Sequence, residues 1–347
     1  MKQKVKFFAC LFFLVVWASG MEAVAAKKAK EYHESWPSNS VTTLEISNKF
    51  GDVNVAYKGG SNVTVDVIIT VESSNERKID DLLEQISVSF SKTGNTVTAE
   101  THFSRGFSTR LQFSVDYKVN IPPDKNLNIT NKYGNAFVNE LNASGSFDIS
   151  YGNFDANQLK APADGLVELE LAYGKGGVES ANNLLVEVQY STINFGNLGE
   201  LDLDSKYSII NIDKAGSVIA DSKYDTFNFG LVGALSSTTK YTRIKVRELS
   251  QKLIVDAGYG GIKVDKVDEN FESVQITNSY GQISLGLGNA NYLLDASCDY
   301  CGISYPESNF SGNRISERQM RKVNGKVGSG TGGTVFVKSR YGQINLD

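Results

Sequence analysis

The sequence predicts an all-β chain, a parallel β-helix or solenoid built from coils of roughly 17–22 residues with a small N-terminal α/β cap. Three observations predict it. A Tyr-Gly phrase recurs, as in "NKFGDVNV" (48–55), "NKYGNAFV" (131–138), "AGYGGIKV" (257–264), "NSYGQISL" (278–285) and "SRYGQINL" (339–346). Apolar residues alternate with polar ones on both sides of each phrase. Glycine is high at 32, proline is low at 5 and aromatics make 10%, the composition of short strands joined by many turns.

The chain opens on a targeting segment. Lys2, Lys4 and Lys6 precede the apolar run from Phe7 to Ser19, and Ala23-Val24-Ala25 offers a small-x-small cleavage pattern. Residues 1–25 are therefore expected to be a signal peptide, and the run is short for a transmembrane helix. Cys10 lies inside the apolar run rather than at its end, which argues against a lipid-modified cysteine. No second apolar span of membrane length follows. The protein is expected to be exported, to the periplasm, cell surface or medium.

Residues 26–123 read as a first coil plus an α/β cap. Residues 41–57 look like a coil, and "SNVTVDVIITV" (61–71) alternates as a strand. "ERKIDDLLEQI" (76–86) is an amphipathic helix with Ile79, Leu82, Leu83 and Ile86 on one side. "TVTAETHF" and "LQFSVDYKVNI" return to strands, and Pro122-Pro123-Asp124 makes a turn. A solenoid end exposes apolar side chains and strand edges, so it needs such a cap.

Residues 124–347 carry the repeat. With each Tyr as position zero, the sites are Tyr133, Tyr151, Tyr173, Tyr190, Tyr207, Tyr224, Tyr241, Tyr259, Tyr280, Tyr300 and Tyr341, with Phe50 as an early outlier. Positions +3 and +5 are apolar, as in Ile193/Phe195, Ile210/Ile212 and Phe227/Phe229. Position +8 is Leu198, Val232 or Leu249, and −6 and −4 are Leu201/Leu203 or Leu253/Val255. Spacing by two places these side chains on one strand face. The parity changes near the Tyr, where the chain must bend, and the following Gly suits a corner. The −2 residues, among them Asn131, Ser205, Ser222, Thr239, Asn278 and Ser339, are small and polar and should face inward in hydrogen-bonded ladders. The tyrosines share that parity. Two places strain the pattern. The coil "YGKGGVESANNL" has Gly176 at +3 and reads as loosened. The long step from Tyr300 to Tyr341 reads as one degenerate coil plus a Gly-rich basic insertion near 306–333.

Little in the chain points to catalysis. His33, in an expected loop, and His102, at a strand end, are the only histidines. No nucleophile elbow or Cys/His metal cluster appears, and "GSGTGG" (328–333) lacks the ending of a phosphate loop. No cofactor or metal is expected. Aspartates such as Asp202, Asp204, Asp213, Asp221 and Asp225 are plausible calcium or acid-base groups, with solvated turn charge as the plainer reading. With 35 Lys+Arg against 39 Asp+Glu, nothing draws the chain to nucleic acid. Cys298 and Cys301 sit in "ASCDYCGISY", where a structural disulfide or two buried thiols fit better than redox work at a helix N-terminus.

Position −1 is Lys or Arg at Lys49, Lys132, Lys206, Lys223, Lys240 and Arg340. Lys206, Lys223 and Lys240 should stack on consecutive coils about 5 Å apart. Asp204 and Asp221 at −3 are placed to interleave with them. The stripe either protects the sheet from lateral pairing or forms a binding face for an anionic glycan or acidic surface. The tyrosine corners read as a packed aromatic ladder, with a sugar-binding platform as the sharper alternative.

The signal-like start, "VDYKVNIPPDKNLNITNKYGNAFV" (115–138), the serial Tyr-Gly coils and "GGTVFVKSRYGQINL" (332–346) together resemble the bacterial putative-adhesin family of exported β-helix proteins. That family is related to auto-transporter adhesin head domains. The resemblance covers roughly 40–347. It implies a right-handed β-helix and an envelope or surface location, and it brings no catalytic residues to transfer. The function expected is a non-enzymatic adhesion or binding scaffold that meets a glycan or an envelope protein. The alternatives are a carbohydrate hydrolase or lyase on the same fold, and an envelope regulatory component that binds another exported protein.

Overall fold

The computed structural model describes residues 26–347, so the expected signal peptide and Cys10 lie outside it. Strand covers most of these residues, and the single α-helix is Glu76–Glu84. No helix among the described residues is long and apolar enough to cross a membrane.

The repeat is visible in the middle of the stack. Thr192–Lys206, Ile209–Lys223, Thr226–Lys240 and Arg243–Gly258 each run from one tyrosine corner to the next. They pair in parallel, so that Ile193 lies beside Ile210, Phe195 beside Ile212, Leu201 beside Val218 and Lys206 beside Lys223. Alternation then puts the same positions inside on every coil, and Ile193, Phe195, Leu198, Leu201 and Leu203 are all buried. A single coil has no core of its own. Burial comes from the coils above and below, which is why the pattern must repeat.

The corners hold a surprise. Phe50 and all eleven repeat tyrosines adopt positive φ, between 50° and 66°. One left-handed residue reverses the strand parity, so the tyrosines turn outward, against the inward placement that simple alternation implies. The glycine that follows Phe50 and six of the tyrosines is therefore not the left-handed residue. Its role is close approach. A Cβ at Gly134 would sit 1.9 Å from the Gly51 carbonyl oxygen, and one at Gly281 would sit 1.8 Å from that of Gly260.

Four central corners replace this glycine with Ser191, Ser208, Asp225 and Thr242, all buried. Along this run, backbone N–H groups from Gly174 to Asp225 donate to the next coil's side chain. Gly174 N donates to Ser191 Oγ at 3.0 Å, Ser191 N to Ser208 Oγ at 3.2 Å, Ser208 N to Asp225 Oδ1 at 2.6 Å and Asp225 N to Thr242 Oγ1 at 3.3 Å. The −2 side chains work differently from the ladder expected. Asn131 Nδ2 donates to the Gly51 and Asn135 carbonyls, and Asn278 Nδ2 to those of Gly260 and Gly281. These asparagines satisfy corner carbonyls, as does Ser339 Oγ toward Gly342 O, whereas Ser205 and Ser222 both donate to the Asp225 carboxylate. The coil containing Gly176 is not loosened. Lys175–Gln189 is one continuous strand, and Gly176 pairs in register with Ile193, whose side chain takes the space a Cβ would need.

Both ends are closed. On the first coil, Thr96–Phe103 lies parallel to Thr43–Lys49, and Gln112–Asn120 parallel to Val53–Ala56. Asn62–Ser73 pairs antiparallel with Gln112–Asn120, and Ala26–Pro37 pairs antiparallel with Asn62–Ser73. The helix is capped by Asn75 and buries Ile79 and Leu82 against this sheet. His33 thus lies in an edge strand, not a loop.

At the far end, the chain order and the stacking order differ. The last coil, Gly333–Arg340 with Ile344–Leu346, slides between two earlier ones. Val335 lies beside Val274 on one side and Leu294 on the other. The Phe310–Glu317 and Met320–Val327 strands form a hairpin, and its second strand pairs antiparallel with Tyr292–Asp299. The long Tyr300–Tyr341 step is therefore a capping hairpin and a returning coil, not a degenerate coil. The Gly-rich residues 328–332 are the turn between them.

Candidate functional site

The strand before each tyrosine presents its −5, −3 and −1 side chains to water. Lys206, Lys223 and Lys240 occupy one column in register. Lys206 Nζ also lies 3.6 Å from Asp204 Oδ1. The neighbouring −3 column is longer. Asp148, Glu170, Glu187, Asp204 and Asp221 follow one another on five successive coils. Only its last two members attract notice as partners of the lysines in the sequence. The rest of the column is equally present there, at the same offset from Tyr151, Tyr173 and Tyr190.

Glu170, Glu187, Asp204 and Asp221 line a groove of about 510 Å³ together with Glu168 and Asp202. Leu185 and Ile219 line it as well, and Ile219 is 59% exposed. Burial first, then the neighbouring Asp148, Glu187 and Glu168 charges, hold the Glu170 carboxyl above the usual carboxylate range. Like charges in register oppose stacking. The lysine stripe thus borders a predominantly acidic face.

The tyrosines form a continuous column. Phe50, Tyr133, Tyr151, Tyr173, Tyr190, Tyr207, Tyr224, Tyr241, Tyr259, Tyr280, Tyr341 and Tyr300 stack in that order, with ring centroids 4.7–5.1 Å apart. An interior ring has both faces covered by its neighbours and shows water only its edge. That geometry rules out the ladder's flank as a sugar platform, because a pyranose stacks on a ring face. Lys49, Lys132 and Arg340 lie 4.8–5.5 Å from ladder centroids, a cationic fringe to the column.

Other singled-out residues fall away from this face. His33 Nδ1 meets Asp66 Oδ1 at 2.5 Å on the edge strand. His102 Nε2 meets Ser89 Oγ at 2.7 Å, and its Nδ1 lies 3.9 Å from Glu100 Oε1. These are the residue types of a nucleophilic triad, but all three are exposed on the water side of a hairpin, with nothing to wall in a substrate. Asp225 is buried and accepts from Ser205 Oγ at 2.8 Å and Ser222 Oγ at 2.6 Å. Burial, offset in part by these bonds, keeps its carboxyl above the usual range. Among the described residues, no group of three or more His, Cys, Asp or Glu is placed to hold a metal. Cys298 and Cys301 flank Tyr300 with their Cα atoms 5.5 Å apart and are bonded to one another in this structure.

No family model matches the chain, and no curated protein matches it. Solved structures similar to it include a putative adhesin from Parabacteroides merdae, 14% identical, covering 74% of this chain and 96% of that one with a TM-score of 0.40. A putative adhesin from Bacteroides fragilis is 12% identical over 92% of this chain and 97% of its own, with a TM-score of 0.34. A putative lipid binding protein from Parabacteroides distasonis is 12% identical over 74% and 96%, also with a TM-score of 0.34.

Proposed function

We propose that this chain is an exported binding scaffold of the cell envelope whose charged strand face docks a basic protein surface. The observation that supports this most is the run of five stacked carboxylates from Asp148 to Asp221. It weakens the stack that carries it, so its value lies in what it meets. Two exposed apolar residues, Leu185 and Ile219, lie among the charges and give the contact an unhydrated centre. Export rests on the lysine-led apolar start and on a bonded cysteine pair suited to an oxidising compartment.

The lysine column carries a second reading, an acidic glycan laid along Lys206, Lys223 and Lys240. The hydrolase reading draws on the groove, where raised Glu170 neighbours other carboxylates. A glycosidase needs its two carboxyl groups to flank the scissile bond. Here the carboxylates rise side by side from one sheet face, which suits docking better than cleavage.

One experiment separates the two binding readings. Purified 26–347 is passed over immobilised polylysine and dextran sulfate at 50 and 150 mM salt. Retention on polylysine at 150 mM salt, lost in Glu170→Gln/Glu187→Gln/Asp204→Asn, supports the acidic face. Retention on dextran sulfate alone, lost in Lys206→Ala/Lys223→Ala/Lys240→Ala, moves the function to the lysine column. No retention on either overturns both.

A further inference from the structure

The strand face that carries the acidic column changes sign along its length. The −3 column does not stop at Asp221. It runs on through Thr238, Asp256 and Thr277 to Lys338, Ser297 and Lys322. From Asp148 to Lys322 this makes eleven layers, with Thr238 in the sixth. The far half is built by the returning coil and the capping hairpin. The switch from acid to base therefore follows stacking order, not chain order.

The same face gathers exposed apolar side chains. Outside the aromatic column, nine large apolar side chains among the described residues are exposed, and seven of them stand here. Both halves hold some. Leu166, Leu185 and Ile219 accompany the acids, and Leu293 and Phe336 accompany the bases. Half-buried Ile254 lies two coils on from Ile219 in one column. Apolar side chains set among charges are the make-up of a contact surface.

We infer that this face binds the same face of a second copy, reversed end for end, in a two-fold dimer; the inference rests on the docking role proposed for the acidic half and names its basic partner. The axis would cross the sixth layer, where Ser236 and Thr238 are small. Reversal about that layer sets Asp148 opposite Lys322 and Glu187 opposite Lys338, and a two-fold axis makes each pair twice. It also sets Leu166 opposite Leu293, Leu185 opposite Phe336 and Ile219 opposite Ile254. Two like-charged meetings remain, Glu168 with Asp295 and Asp221 with Asp256. Each has a cation beside it. Lys322 Nζ lies 3.7 Å from Asp295 Oδ1, and Lys223 follows Asp221 by two residues on the same strand face. Eleven layers at about 4.8 Å, by a strand width of about 20 Å, offer about 1,000 Å² per copy, above the ~800 Å² of a standard interface. An unrelated basic protein would satisfy the acids but leave Lys322, Lys338 and Phe336 without partners.

The test is sedimentation velocity of purified 26–347 from 1 to 100 µM at 150 mM salt, run beside the polylysine column. The expected result is a dimer that forms with rising concentration. Lys322→Glu/Lys338→Glu and Asp148→Lys/Glu187→Lys should each weaken it at least tenfold. Mixing these two variants should restore dimers to within threefold of the parent, because every pair is then opposite in charge again. Ile219→Asn should weaken the dimer three- to tenfold. A chain that stays monomeric at 100 µM overturns the inference. If that monomer is still retained on polylysine, the docking role stands with another partner, and if it is not, both fall. A dimer indifferent to the charge variants, or variants that do not recover on mixing, also overturns it, because the contact then lies elsewhere.

Discussion

Replacing Gly152 with Ala isolates what the Tyr-Gly phrase is for. A Cβ at Gly152 would lie 1.9 Å from the Gly134 carbonyl oxygen and 2.7 Å from its carbon. Ordinary contact begins near 3.4 Å, so about 1.5 Å of overlap must be relieved. Both obstructing atoms are backbone. Both coils are held in register, with Ser150 beside Lys132 and Phe154 beside Ala136. Core overpacking costs about 1–3 kcal/mol when side chains can shift. None can here, so the expected cost is about 3–4 kcal/mol. At ~2.1 cal/mol/K per residue over about 320 residues, that lowers Tm by roughly 4–6 °C. Gly258 is the control. Nothing lies within 4 Å of a Cβ there, and its φ is not positive. Gly258→Ala should hold Tm or raise it slightly, by about 0.4–1 kcal/mol through the unfolded state. Far-UV circular dichroism melts of both variants decide the matter. If Gly152→Ala melts within 1 °C of the parent, or Gly258→Ala falls as far, the close-approach account is wrong.

Glu187 has carboxylate neighbours on both coils, so Glu187→Gln should stabilise the fold by about 0.5–1 kcal/mol while weakening retention on polylysine. Asp225, raised by burial, holds its proton to higher pH when folded. The stability it contributes is full below the ordinary carboxylate range and is lost as pH rises through the folded value. Asp225→Asn should therefore gain Tm relative to the parent as melts move from pH 3.5 to 8, and a gap that shrinks with rising pH would refute this sign. Deleting 333–347 removes the coil between Val274–Ile276 and Leu294–Ala296. Limited proteolysis should then cut within 286–332 and spare 43–285.

The coil register was legible because it depends on spacing alone. The +3, +5, +8, −6 and −4 positions are the buried ones, as Ile193 to Leu203 illustrate. The direction of the tyrosines was not legible by the same rule. Alternation assumes every residue is extended, and one left-handed residue per coil breaks that assumption without a mark in composition, because its occupant is Tyr rather than Gly. The returning coil was hidden for another reason. Residues 333–346 resemble every other coil, and only pairing reveals that they stack between earlier ones. The acidic column lay in plain view at a fixed offset. Its residues are divided between Asp and Glu, whereas the adjacent −1 position repeats Lys, which is the more uniform signal.

The tyrosines themselves need a physical reason, since glycine would take positive φ without strain. A left-handed L-residue costs about 1–2 kcal/mol. Stacking on a neighbouring ring returns about 0.5–1.5 kcal/mol per pair beyond the area covered. An interior ring such as Tyr207 has two such pairs, at 4.9 Å on each side, so strain and stacking roughly cancel and the apolar area shielded decides the balance. A terminal ring has only one pair. Tyr300 therefore carries the strain with half the return, and an end cap of the kind Phe103 and Phe113 give Phe50 would restore it. The hairpin that closes this end covers the strand edge of Tyr292–Asp299 and lays its turn against this corner, where Tyr300 N donates to Gln319 O at 2.8 Å.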